Sequence, residues 1–473
     1  MRGEYKKGNV VTLKISAMSS EGKGISKDES GFVVFCENAL PGDTVRAEIR
    51  RKKSNYAEAK MMELVVESPH RVEPRCRHFG TCGGCKVQNY SYEKQIEFKT
   101  ESVKNAFGKI GGFENISVPQ AIKSANEYFY RNKMEFSFSD DKWMSRDDMH
   151  KEREKFALGL HVPKFHSKIL DVEECFLQSE LSSRIMNFSR DFFKSRGLSI
   201  YSTSTHEGYL RFLIIRQCGN TDDLMVNLIT YEYDEEIVTG YSKELKERFP
   251  EVTTLINSFT RKKAQVAFAE DVKIIYGRGY IEDKLNRGGK EFTFKISPNA
   301  FFQTNTKQAE RLYSQVAEFG DFRETDSVLD LYCGTGSISI FISGLVKNVT
   351  GVELIKESIE SAEENAKLNG INNVRFITSD IKDFLEEEDV TSGFNKLILD
   401  PPRSGLHPDI CEMISGKEFE KTVYVSCNPA TQARDLKIIM SGDKYEIGRI
   451  QPVDMFPQTY HIENVVELNL KRI

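Results

Sequence analysis

From residue 327 onward, runs of β-branched and large apolar residues alternate with polar, helix-favouring stretches. No other feature of the sequence restricts the fold as much. The runs are 327–331, 349–353, 374–377, 396–399 and 422–426, and stretches rich in Glu, Ala and Lys, such as 357–368, lie between them. Strands apolar on both faces must be covered on both faces, which parallel strands with helical crossovers achieve. The expectation is a doubly wound α/β domain in the C-terminal half.

The rest of the chain reads differently. With 473 residues it is too long for one core, and about three domains are expected. Residues 1–67 contain short strand-like runs at 10–15, 31–35, 43–49 and 60–66, separated by Gly, Asn and Asp turns. So many strands in so small a segment predict an OB-like β-barrel. The basic run Arg50, Arg51, Lys52 and Lys53 closes one strand, and on a small barrel it points to nucleic acid. A proline-punctuated stretch, 68–74, follows. Residues 92–107 carry a helical stripe through Ile96, Val103 and Phe107. Residues 125–292 mix strands, such as 133–138, with helices, and the charged patch 146–155 reads as an exposed loop. The domain division expected is 1–67, then 68–92 with 125–292, then 93–124 with 293–473.

The first parallel strand runs into Asp330-Leu331-Tyr332-Cys333-Gly334-Thr335-Gly336-Ser337. Gly334 and Gly336 at a strand-to-helix turn let the backbone approach a ligand closely. Glu353 ends the second strand 19 residues after Gly334, where such folds place a carboxylate against ribose hydroxyls. Ser339 stands where a third glycine would receive a pyrophosphate. A ligand with ribose and adenine but no phosphate, S-adenosylmethionine, fits this partial pattern. Asp380, ending the third strand, is a candidate partner for the adenine amino group.

The fourth and fifth strands end in Asp400-Pro401-Pro402-Arg403 and Ser426-Cys427-Asn428-Pro429. Proline in a first helical turn puts Cys427 at a helix N-terminus, where a depressed thiol pKa and a ready thiolate are expected. A methyltransferase needs a thiolate when its target carbon is a weak nucleophile, as carbon 5 of uracil is. Thiolate addition at carbon 6 makes an enolate that can attack the methyl. A base must then remove the carbon 5 proton, and Glu463 is the candidate.

The motifs SPNAFFQTN (297–305), DLYCGTG (330–336), GVE (351–353), DPPR (400–403), VSCNPAT (425–431) and HIENV (461–465) together resemble bacterial RNA uracil-C5-methyltransferases. The N-terminal barrel is similar to the family's TRAM domain. The resemblance spans almost the whole chain. It implies a Rossmann-like class I methyltransferase domain, an α+β central domain and the barrel. It also implies Cys427 as nucleophile and Glu463 as base, with Gln303, Tyr332, Glu353, Asp380 and Asp400 around cofactor and target base. Ser337 and Asp380 are positions where some members have Asn. Tyr130-Arg131-Asn132-Lys133 resembles a family motif beside the RNA path.

Cys76, Cys82 and Cys85 are clustered, with Cys175 a plausible fourth ligand. Spacing alone allows structural zinc or an iron–sulfur cluster. CGGC (82–85) and EECF (173–176) resemble the family's [4Fe–4S] ligands and imply that cluster. Cys36, Cys218 and Cys411 read as packing residues, and His78 as a poorer ligand than Cys175. A 5-methylcytosine enzyme would carry a second cysteine after the fourth-strand proline, where Arg403 stands. An amino-group methyltransferase would carry an aromatic there. A catalytically idle iron–sulfur RNA-binding factor would not need Cys427 and Glu463. The net charge of −5 excludes a histone-like binder but not a local basic face. No apolar run is long enough to span a membrane. The expected partner is RNA, ribosomal RNA ahead of transfer RNA, in the cytoplasm and with no obligate protein partner.

Overall fold

The computed structural model describes residues 4–144, 154–387 and 390–471. Its N-terminal strands alternate strictly: β1 (Val10–Lys14) buries Val11 and Leu13 and exposes the residues between and beside them. With β2 (Ala17–Met18), β3 (Gly24–Lys27), β4 (Val33–Glu37), β5 (Thr44–Lys52) and β6 (Tyr56–Val66) it forms one sheet in the order β1-β5-β6-β4-β3-β2. Val11, Val34, Cys36, Val45 and Ala57, from four of these strands, meet in one apolar cluster. The sheet therefore wraps around its own core, as a small barrel does. Arg50, Arg51 and Lys52 end β5 with exposed side chains.

Helix α1 (Tyr92–Ala106) buries Ile96 and Val103 along the expected stripe. Next come β7 (Lys133–Ser139), β8 (Ala157–Val162), β9 (Phe165–Asp171), α2 (Glu180–Ser195), β10 (Leu210–Gln217), β11 (Leu224–Thr230), α3 (Glu235–Arg248), β12 (Thr254–Phe259) and β13 (Asp271–Tyr276). They form a sheet ordered β13-β12-β11-β10-β7-β8-β9. Most of the patch 146–155 lies outside the described residues. A hairpin, β14 (Ile281–Arg287) and β15 (Lys290–Ile296), follows.

The last unit contains α4 (Thr306–Gly320), β16 (Ser327–Leu331), α5 (Ser337–Ile342), β17 (Asn348–Glu353), α6 (Lys356–Leu368), β18 (Val374–Thr378) and α7 (Ile381–Glu386). It continues through β19 (Lys396–Leu399), α8 (Pro408–Gly416), β20 (Lys421–Ser426), α9 (Pro429–Ile439), β21 (Tyr445–Val453) and β22 (Glu463–Leu470). The sheet order is β18-β17-β16-β19-β20-β22-β21, with β16–β20 parallel and β22 antiparallel to both neighbours.

Alternate residues of these strands enter opposite apolar layers, which is why the runs are apolar nearly throughout. Leu329, Leu331, Leu397, Leu399 and Tyr424 face a layer holding α1, α8 and α9. Val328, Ile398, Val423 and Val425 face one holding the β14–β15 hairpin and α4. Each fully buried side chain of this kind contributes about 2 kcal/mol. Strand order reverses between β16 and β19, and the crevice beyond their carboxyl ends is where open sheets bind ligands. The antiparallel β21 and β22 are absent from the sequence expectation. Among the described residues no helix is long and apolar enough to cross a membrane.

Candidate active site

The turn after β16 is held open by left-handed backbone: Tyr332 has φ 64°, Gly334 55° and Gly336 73°. A Cβ on Gly336 would meet Phe376 at 2.6 Å and Ala362 at 2.9 Å, so this glycine lets α5 pack against α6 and β18. A Cβ on Gly334 would meet nothing within 4 Å, leaving clear space beside the backbone. Glu353, at the end of β17, accepts from Gly334 N at 3.3 Å and from Ile355 N at 3.0 Å. Asp380 caps α7 by accepting from Lys382 N at 2.8 Å, and its charge reaches the Tyr332 hydroxyl. The Gln303 and Ser337 side chains hydrogen-bond the Tyr313 hydroxyl. Asn132 donates to Gln303 O at 3.0 Å, which ties the 130–133 segment to this loop.

Sequence reasoning passes over Asp330. It accepts from Ser339 Oγ at 2.5 Å through Oδ2, while Oδ1 is buried with no partner. Burial, reinforced by the nearby Glu353 charge, pushes its carboxyl up to about 7. An orphaned acceptor beside an open glycine turn suits a ligand that brings its own donor. Exposed apolar Leu354 and Ile355, just past Glu353, suit a flat ring. Cys333 is buried and packs against Gly351, where an added Cβ would lie 2.8 Å from its sulfur.

Pairing of β20 with β22 brings the other candidates together. Ser426 lies opposite Asn464, so the residues just beyond, Cys427 and Glu463, meet at the end of the sheet. Asn428 caps α9 by accepting from Ala430 N at 3.1 Å and donates to Arg403 O at 3.2 Å, joining the fourth- and fifth-strand turns. Burial, then the charge of Asp400, raises Glu463 well above the ordinary carboxylate range, with Arg403 opposing. Burial, then the charge of Asp330, pushes Asp400 up to about 7.

The expectation of a depressed thiol at Cys427 is not met. Burial, then the charges of Glu463 and Asp400, pushes it up to about 11 against the opposing Arg403. Burial is the leading cause, and the two carboxyls add to it. The helix end is outweighed because the thiol is desolvated. Alkylation of Cys427 by iodoacetamide should therefore rise about tenfold per pH unit between about pH 7 and pH 9. A plateau below pH 8, read by mass spectrometry of the Cys427 peptide, would contradict this.

All nine cysteines are free. Cys76, Cys82 and Cys85 are close enough that Cys175 raises each of them electrostatically, after burial. Each sulfur receives an N–H: Cys76 from His78 and Phe79, Cys82 from Gly84 at 3.3 Å, Cys85 from Gln88 Nε2 at 3.5 Å, and Cys175 from Leu177 and Gln178. His78 Nε2 accepts from Glu173 N at 3.2 Å. Among the described residues no group of three or more His, Cys, Asp or Glu side chains is set to hold a metal ion.

The cysteine loop is joined to the segment that leads to Glu463, a connection the sequence does not reveal. Lys86 N and Val87 N donate to Gln458 O at 2.9 and 3.2 Å. Gln458, with φ 68°, accepts from Gln95 Nε2 of α1 through its Oε1 at 2.9 Å and donates from its backbone N to Gln95 Oε1 at 3.0 Å, both residues being buried. Next to this pair, Lys99 and Asp454 form a fully buried ion pair at 2.6 Å.

A cleft of about 1120 Å³ opens over Cys427, Asn428 and Arg403. The barrel contributes Lys23, Arg50 and Lys60 to its walls, the cysteine loop Cys82 and Cys85, and the β8–β9 turn Lys164 and Phe165. Among the described residues six Lys or Arg and two Glu line it, in a chain whose net charge is −5, so positive charge is concentrated here.

Sequence profiles match two segments: tRNA (uracil-5-)-methyltransferase over residues 221–471 and the TRAM domain over residues 4–62. An uncharacterized RNA methyltransferase of Chlorobaculum tepidum is 39% identical over 98% of this chain and 96% of its own. Another, of Bacteroides thetaiotaomicron, is 38% identical over 96% of this chain and 100% of its own. The crystal structure of Pyrococcus abyssi tRNA (uracil-54, C5)-methyltransferase in complex with S-adenosyl-L-homocysteine aligns with a TM-score of 0.75 at 27% identity. It covers 97% of this chain and 100% of that one. Fold and site together define a class I S-adenosylmethionine-dependent methyltransferase with an N-terminal TRAM domain. The chain belongs to the tRNA (uracil-5-)-methyltransferase family, and it is an RNA (uracil-5-)-methyltransferase.

Proposed function

We propose that this enzyme methylates carbon 5 of a specific uridine in 23S ribosomal RNA through a covalent adduct between Cys427 and carbon 6. The observation that carries the reading is the meeting of Cys427, Glu463 and Asp400 at one end of the sheet, under a basic cleft. The uracil leaves its stack to enter this site, as bases must when chemistry is done on them. Cys427, having given its proton to solvent, adds to carbon 6 as thiolate; the carbon 5–carbon 6 double bond opens to an enolate, and carbon 5 becomes nucleophilic. Bound S-adenosylmethionine supplies the methyl and leaves as S-adenosylhomocysteine. Glu463, as carboxylate, takes the carbon 5 proton, the carbon 6–sulfur bond breaks, and 5-methyluridine departs. Burial strengthens Glu463 as a base once it is ionised, because a raised pKa favours proton uptake.

Glu353 and Asp380 are assigned to the ribose and adenine, Gly334 and Gly336 to the open turn, and Gln303, Tyr332 and Asp400 to the boundary between cofactor and target base. The cysteines Cys76, Cys82, Cys85 and Cys175 are assigned to a [4Fe–4S] cluster. Four free thiols, each receiving an N–H, match the number and type of ligands such a cluster takes, although they are not set around a metal ion here, and the cluster would supply a rigid cross-link rather than redox chemistry. The division into residues 1–67, 68–92 with 125–292, and 93–124 with 293–473, and a cytoplasmic setting that keeps thiols reduced, belong to the same proposal.

The test of the target is mapping of 5-methyluridine in RNA from a deletion strain. Loss from 23S ribosomal RNA is the expected result. Transfer RNA is the second reading, favoured by the likeness to the Pyrococcus abyssi tRNA enzyme, and loss from that fraction alone would establish it. Purified without oxygen, the protein should be brown and contain about four irons, and Cys82→Ser or Cys175→Ser should lose them. Stoichiometric zinc without iron would overturn the cluster assignment.

A further inference from the structure

We infer that Trp143 and Phe165 form a stacking platform for an unpaired RNA base that flanks the target uridine, on the wall of the cleft that ends at Cys427. This rests on the RNA-methylating function proposed above. Both residues line that cleft. Their rings lie 5.4 Å apart at 44°, and Lys168 Nζ lies 5.8 Å from the Trp143 ring. Trp143 N donates to Ile169 O at 2.7 Å, so the indole is mounted on β9 rather than on a free loop. Phe165 remains 48% exposed, which for a phenylalanine beside the only tryptophan of the chain leaves a sizeable apolar face without cover.

The surroundings say what covers it. Lys164, at the turn between β8 and β9, pairs with Glu37 of the barrel, so the aromatic pair faces the barrel across the cleft. Gly83 N donates to His161 O at 3.1 Å, fixing the same hairpin to the cysteine loop. The cleft concentrates Lys and Arg in an acidic protein, so its occupant is a polyanion. Among polyanions, a single nucleic-acid strand also brings flat rings that stack on aromatic side chains whatever their sequence. Lysines along the groove would hold phosphates, and the Trp143–Phe165 pair would hold the neighbouring base while the target uracil turns towards Cys427.

The sole tryptophan makes the test direct. Titrating the full-length protein with a short single-stranded RNA containing the target uridine should quench tryptophan fluorescence. The same RNA with the flanking bases removed and the backbone kept should bind about tenfold more weakly and quench little. Trp143→Ala should raise the KM for RNA about tenfold, leave kcat at saturating RNA and S-adenosylmethionine affinity unchanged, and preserve the salt dependence of binding, because stacking releases no counterions. Trp143→Phe should restore most of the affinity. Phe165→Ser, at a half-exposed position, gives an independent variant should Trp143→Ala fold poorly. RNA binding without quenching, or equal affinity for RNA with and without flanking bases, overturns the platform. A protein that shows the quenching yet methylates no RNA would instead overturn the function on which the platform rests.

Discussion

Cys427→Ala is expected to bind S-adenosylmethionine and RNA normally, form no covalent complex, and lose methylated product by a factor on the order of 10⁴ to 10⁶. The substitution removes one sulfur atom from a half-buried position at a helix entry, so the fold should tolerate it. The two other thiols nearest the parallel strands are not placed to substitute. Cys333 is buried against Gly351 with its thiol held far above the ordinary range, and Cys411 is fully buried under the sheet on α8. The checks are methyl incorporation, cofactor binding by calorimetry, and denaturing electrophoresis of labelled RNA. A denaturation-resistant complex in this variant would place the nucleophile on another cysteine, with Cys333 the first to examine.

Glu463→Gln should separate the two halves of the reaction. Addition and methyl transfer need the thiolate, whereas release needs a base, so this variant should accumulate a protein–RNA complex that survives denaturing gels and carries label from the methyl donor. Turnover should fall by about 10² to 10⁴. Burial raises the Glu463 carboxyl well above the ordinary carboxylate range, so glutamine, neutral and of the same shape, fits the site without a buried charge. The stability consequence has a definite sign. A carboxyl raised on folding contributes stability below its unfolded pKa and loses it as pH rises through the folded value. Glu463→Gln should therefore match the parent at acidic pH and exceed it in alkaline solution, as read by urea denaturation. Normal turnover with no trapped complex would remove Glu463 from the role of base.

The difference between Cys427 and its expected chemistry is instructive. A cysteine before Asn-Pro at a helix start is legible as local sequence, and α9 does begin at Pro429 with Asn428 as its cap. The thiol pKa is not local. It depends on burial and on two carboxyls that arrive from β19 and β22, and neither desolvation nor through-space charge follows from the neighbours in sequence. Asp330 escaped attention for the same reason, since its missing partner is visible only once β16 is packed. Gln458 is a polar residue with no motif around it, and its left-handed backbone and pairing with Gln95 depend on elements more than 360 residues apart.

What the sequence determined by itself is the set of local, repeating signals. Apolar runs at strand length, the glycine turn after β16 and the alternation in β1 follow from backbone geometry and side-chain periodicity, which act over a few residues. They place the parallel strands and name Gly334, Glu353, Asp400 and Cys427. What only the tertiary structure decided is the company those residues keep. The β21–β22 hairpin inserts its second strand beside β20 and so delivers Glu463 to Cys427. Gln458 binds the cysteine loop to the segment leading into that strand, and the barrel closes the cleft above it. Burial, charge coupling and long-range pairing are sums over the whole chain, and folding alone brings their members together.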